Sequence, residues 1–226
     1  MKDMYSIDLA KITLDEFEKI LCAVQLLPSQ KLILDNLHGN MQKLKAKGVA
    51  HLQELQSLLK KKNDYPQIAG ETGIDEEYLV ILNRMVNSYV VKALPLEKLG
   101  IFSKEELDVL SRETIVNTKQ YYEVFTAAGQ MEKLSVGLNI PGRKLNYALH
   151  IVDLLRINGV GIEYAKILYD VGIKSVADYN KTSSETILES VKAANKNNAY
   201  TKATLGISDV DYCRRFCRKL DCDIMS

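Results

Sequence analysis

Two glycines separated by a single valine are the residues of this chain with the clearest chemical promise. They lie in the run Asp153-Leu154-Leu155-Arg156-Ile157-Asn158-Gly159-Val160-Gly161-Ile162-Glu163-Tyr164-Ala165-Lys166-Ile167-Leu168. Apolar residues at helical spacing flank the pair on both sides. Glycine lets a backbone turn tightly and approach a ligand closely. A helix beginning just after Gly161 presents first-turn amides that have no partner within the helix, and its dipole favours an anion there. Phosphate is the natural anion, gripped without reading bases. The candidate binding residues are therefore Arg156, Asn158, Gly159, Val160, Gly161, Ile162 and Lys166, with the arginine and the lysine supplying charge.

The run resembles a helix-hairpin-helix, a motif of the form apolar-x-x-apolar-x-Gly-apolar-Gly-x-x-x-Ala-x-x-Leu. Leu154, Ile157, Gly159, Val160, Gly161, Ala165 and Leu168 fall on its positions. Ala165 permits close helix packing, while Ile157 and Leu168 close the apolar seam. Glu163 opposes an anion, and residues 151–180 hold three basic and four acidic side chains, a balance of −1. A hairpin that only packs, or that faces a protein, is the plainer alternative.

Other chemistry finds less support. Cys213, Cys217 and Cys222 crowd the C-terminal end, and Cys22 is far away. That pattern fits neither a disulfide framework nor an iron-sulfur cluster, so reduced thiols are expected. His38, His51 and His150 lack ligand spacing, and no metal or other cofactor is expected. No phosphate loop, nucleophile elbow or zinc-protease helix occurs, and Asp75, Glu76 and Glu77 are explained by a helix N-terminus. The expectation is a protein without catalytic residues.

Thirty basic and twenty-nine acidic side chains leave a net charge of +1, so no global field draws the chain to a polyanion. Charge is nonetheless polarised. Residues 31–62 carry seven lysines against two acids, and residues 63–113 carry five basic groups against ten acids. A solvated lysine face explains the first stretch without invoking a partner. No apolar run is long enough for a membrane span or signal peptide, which gives the expectations of no membrane partner and a cytoplasmic location.

The elements that must hold these residues are helical. Hydrophobic residues make up 46% of the 226-residue chain, enough for a core, and alternating strand patterns are almost missing. Cap signals stand at Thr13 with Glu16, at Asp75, at Ser103 with Glu106, at Thr182 with Glu185 and at Ser208 with Asp211. About a dozen short helices, an all-α fold, follow. A Gly-apolar pair recurs in three degenerate copies, at Gly48 and Gly73, Gly100 and Gly137, and Gly172 and Gly206. Left-handed glycine caps are expected at Gly48, Gly73, Gly100, Gly137 and Gly206. The expected organisation is an N-terminal region, 1–94, holding the first copy, and a C-terminal region, 95–226, holding the other two. A further break is suggested near Gly129.

The chain as a whole resembles an uncharacterised bacterial family, domain of unknown function 4332, built from helix-hairpin-helix-like repeats. The resemblance rests on Leu26-Leu27-Pro28-Ser29, on residues 44–49, on residues 72–79, and most specifically on Gly159-Val160-Gly161-Ile162-Glu163-Tyr164-Ala165 with Val171-Gly172-Ile173-Lys174-Ser175-Val176. It implies a multi-helical array of such repeats and carries no established activity. Two functional expectations result: non-enzymatic nucleic-acid binding, DNA favoured, with low sequence specificity, or a helical protein-interaction scaffold. Neither fixes an oligomeric state.

Overall fold

The computed structural model describes residues 3–24, 26–127, 130–196, 199–222 and 224. Its regular elements are helices, with no strand among the described residues, so the fold is all-α. The chain divides into two compact units, Asp8–Val90 and Val91–Ser226, the latter joined by Met1–Ile7. The division thus lies at 90/91, beside the 94/95 read from the sequence, and it assigns the first residues to the C-terminal unit. Long-range bonds explain that assignment. The Tyr5 and Thr118 hydroxyls share a hydrogen bond of 2.8 Å, and Lys119 Nζ donates to Asp3 Oδ2 at 2.7 Å. The break suggested near Gly129 falls outside the described residues.

In the unit 8–90, α1 (Leu14–Ala23), α2 (Leu37–Ala46), α3 (Leu52–Leu58), α4 (Tyr65–Thr72) and α5 (Glu76–Asn87) bury Phe17, Leu21, Met41, Leu44, Leu55 and Leu82. Thr13 Oγ1 accepts the Glu16 amide and Asp75 Oδ1 the Glu77 amide, which satisfies first-turn donors of α1 and α5. Lys43, Lys45 and Lys47, central to the basic stretch, pair within this unit with the Gly73 carbonyl, Asp15 and Glu71. Lys60, Lys61 and Lys62 are exposed.

The second unit holds α6 (Lys104–Arg112), α7 (Thr118–Phe125), α8 (Gln130–Leu138), α9 (Gly142–Leu154), α10 (Ile162–Asp170), α11 (Val176–Lys181), α12 (Ser184–Ala194) and α13 (Ile207–Cys217). From Ala148 to Ile157 every residue is buried, so the end of α9 runs through the core. Arg214 on α13 fastens the junction of α11 and α12. Its Nη2 donates to the Thr182 carbonyl at 2.6 Å, its Nη1 to the Tyr179 carbonyl at 3.2 Å, and its Nε to Ser184 Oγ at 2.9 Å.

Among the described residues, one helix-ending turn occurs three times with a helix cap two residues beyond it. After α2 the Val49 amide returns to the Leu44 carbonyl at 3.1 Å; after α6 Ile115 returns to Leu110 at 2.9 Å; after α10 Ile173 returns to Leu168 at 2.8 Å. The left-handed residue is Gly48, Thr114 and Gly172 in turn, and the next helix is capped two residues after the returning one by His51, Asn117 or Ser175. The first two turns are further matched by short antiparallel bridges, Thr13 with His51 and Pro95 with Asn117.

Several caps differ from the sequence reading. Gly48, Gly73 and Gly100 are left-handed as expected. Gly137 lies inside α8, and Asn139, at φ 52°, takes the left-handed position beyond it. Gly206 opens α13, with its amide donating to Asp209 Oδ2 at 2.8 Å, and replaces Ser208 as the cap. Ser183, not Thr182, caps α12, because Thr182 already ends α11.

Candidate nucleic-acid interface

The turn between α9 and α10 is built from the inside outward. Ile157 and Val160 are buried, and the Val160 amide donates to the Ile157 carbonyl at 3.0 Å. Gly159, at φ +94°, reverses the chain between them. A Cβ placed on Gly159 would stand 2.8 Å from Cys213 Sγ and 3.1 Å from the Tyr212 ring. The glycine therefore serves packing against α13. Asn158 is half-buried and donates to the Tyr212 hydroxyl at 3.4 Å. Burial pushes the Cys213 thiol up to about 11, in keeping with its role as an apolar backstop.

Gly161 is different. It is exposed and extended, and a Cβ on it would meet nothing within 4 Å. It caps α10 without a side chain, and among the described residues no acceptor meets the amides of Gly161, Ile162, Glu163 and Tyr164. These four donors point from a helix start whose dipole attracts anions. Glu163 lies beside them, exposed, with Lys166 Nζ 3.2 Å from its carboxylate.

Arg156 does not belong to this surface. It is 0% exposed. Its Nη1 donates to Asp153 Oδ1 at 2.6 Å and to the Tyr122 hydroxyl, its Nε to the Tyr5 carbonyl at 3.0 Å, and its Nη2 to the carbonyls of Met4 and Asp221, each at 3.0 Å. The guanidinium also lies 4.3 Å from the Tyr122 ring centre. Burial pushes the Asp153 carboxyl up, against the opposing pull of Arg156 and of the Val176 amide that donates to it. The expected phosphate contact is thus a buried tie that fastens both chain ends beneath the turn.

Of the seven candidates, then, Gly161 and Ile162 sit at the open amides and Lys166 at their edge. Asn158, Gly159 and Val160 shape the turn from behind, and Arg156 supports it from within the core. Sequence reasoning missed what faces the amides. A cavity of about 820 Å³ opens there, walled by α10, by α12 and by residues 201–205. Tyr164 and Ile167 line one side, Val191 and Lys192 another, and Leu205 a third. Asn195 holds the loop wall: its Oδ1 accepts the Tyr200 and Thr201 amides, and its Nδ2 donates to the Thr201 carbonyl. One signal was available in the sequence, because residues 190–208 contain Lys192, Lys196 and Lys202 and no acid.

A family model described as "Domain of unknown function (DUF4332)" matches residues 102–215, half of the chain. The match takes in the turn and its cavity, whereas residues 26–29, 44–49 and 72–79, which also carried the resemblance, lie outside it. No curated protein and no solved structure matches the chain. Among the described residues no helix is long and apolar enough to cross a membrane.

Proposed function

The chain belongs to the DUF4332 family, and we propose that its C-terminal unit binds the phosphate backbone of nucleic acid, DNA favoured, with the α9–α10 turn acting as a helix-hairpin-helix. The reading is non-enzymatic and of low sequence specificity, since amides recognise phosphate and not bases. One observation supports it above the others: four consecutive amides at Gly161–Tyr164 have no acceptor, at a helix start that carries no side-chain cap. Lys166 offsets Glu163, and Lys192 stands across the cavity. Arg156 has no part in this proposal.

The test is a salt titration of labelled duplex DNA against the wild type and Gly161→Asp. With two or three phosphates engaged, wild-type affinity falls about tenfold to fortyfold between roughly 50 and 200 mM salt through counterion release. Gly161→Asp places a carboxylate on the open amides, in space that is empty. Binding is lost while the helical circular dichroism stays the same, and the new cap adds a few tenths of a kcal/mol of stability. A variant that binds as tightly as the wild type removes the turn as the site and leaves the scaffold reading.

A further inference from the structure

We infer that the cavity beside the open amides receives an unstacked base, so that the preferred ligand is a single-stranded nucleic acid or a strand end rather than continuous duplex. The inference rests on the backbone-binding reading above and specifies which nucleic acid the same site takes.

Three observations converge on it. The cavity, about 820 Å³, lies within the range of pockets that enclose small ligands. It is large enough for one nucleotide, while a duplex could meet only its rim. Its walls are suited to a base: Ile162, Ile167, Val191 and Leu205 are aliphatic, and Tyr164 adds an aromatic ring. Bases stack on such rings with little regard to sequence. Tyr164 is held in place by its hydroxyl, 3.5 Å from that of Tyr179, which itself donates to the Val210 carbonyl at 3.2 Å.

The rim supplies the second half of a nucleotide's chemistry. On one side are the amides of Gly161 to Tyr164, and on the other the exposed Lys192 of α12. A strand crossing the mouth lays its phosphates between the helix amides and Lys192 and turns a base toward the apolar wall. Glu163 is the one acid lining the cavity among the described residues, and it is drawn to Lys166.

The experiment compares three fluorescein-labelled probes of equal length by anisotropy: a thymidine single strand, an abasic single strand with the same phosphates, and a blunt duplex. The thymidine strand binds on the order of tenfold more tightly than either of the others, the increment expected for one stacked base. Ala203→Trp, which projects a ring into the cavity from its exposed loop wall, brings the thymidine strand down to the level of the abasic strand. The abasic probe needs no variant, so the test stands even if Ala203→Trp does not fold. Equal affinity for all three probes overturns the base pocket and leaves backbone binding intact. Absence of binding to every probe overturns the backbone reading as well.

Discussion

Two turns in this molecule share a register and differ in what they offer a ligand. At Gly73-Ile74-Asp75 and at Gly159-Val160-Gly161, a glycine at positive φ is followed by a buried apolar residue and then by the first cap of a helix. In the first, the cap is an aspartate whose carboxylate takes the Glu77 amide at 2.7 Å, with Glu76 and Glu77 adding negative charge. That helix start is closed to anions by its own side chains. In the second, the cap is a glycine and the amides are bare. At these two turns the Gly-apolar pair makes the reversal, and the residue after it decides whether the helix amides are covered by a side chain.

The turns also differ in what holds them, and this difference carries the largest expected effect. The Gly73 carbonyl accepts from Lys43 Nζ at 2.7 Å on the surface. The Gly159 turn stands on the buried Arg156, whose partners reach residues at both ends of the chain. Arg156→Met strands the Asp153 charge in the core and costs about 3–5 kcal/mol, whereas Lys43→Met costs at most about 1 kcal/mol. Urea denaturation measures both. Equal losses would show that Arg156 is not the support of the second turn. Removing both charges, with Asp153→Leu added, recovers part of the loss because no buried charge remains unpaired.

Next in size is the glycine itself. Gly73 and Gly159 both need positive φ, but only Gly159 also lacks room for a methyl group. Gly73→Ala is expected to cost about 1–2 kcal/mol from backbone strain alone. Gly159→Ala adds the clash with Cys213 and Tyr212, for a total of about 2–4 kcal/mol. Placing Cys213→Ala in the Gly159→Ala background separates the two causes, since it relieves the clash and leaves the strain. If the double variant is no more stable than the additive sum, packing on α13 is not what requires glycine there.

How much of this was legible depends on how far each cause reaches along the chain. Helix starts governed by neighbouring residues, such as Thr13, Asp75 and Ser103, could be read directly. The second copy of the repeated turn could not, because Thr114 adopts the left-handed conformation where the other copies use glycine. A search keyed to glycine settles on Gly100 and Gly137 instead, and Gly137 is helical. The glycine pair of the candidate site was visible, but its division of labour was not, since Gly159 is constrained by residues more than fifty positions away. Arg156 misled for the same reason. Next to an exposed turn it reads as a surface cation, and its partners Met4, Tyr5 and Asp221 are invisible to local pattern.

The smallest effect is the reciprocal exchange, Asp75→Gly, which makes the first turn resemble the second. Glycine is itself an acceptable cap, so the loss of the 2.7 Å bond to the Glu77 amide costs only a few tenths of a kcal/mol. Stability should thus move by similar small amounts in opposite directions in Asp75→Gly and Gly161→Asp, which paired urea midpoints resolve. The binding consequences are not symmetrical. Opening the first turn leaves Glu76 and Glu77 in the first turn of α5, and their charge still repels phosphate. The doubly exchanged protein, Asp75→Gly with Gly161→Asp, is therefore expected to remain a non-binder of the thymidine strand. Recovery of salt-dependent binding in that protein would mean that bare amides alone suffice, and that the cavity and Lys192 contribute nothing to the site.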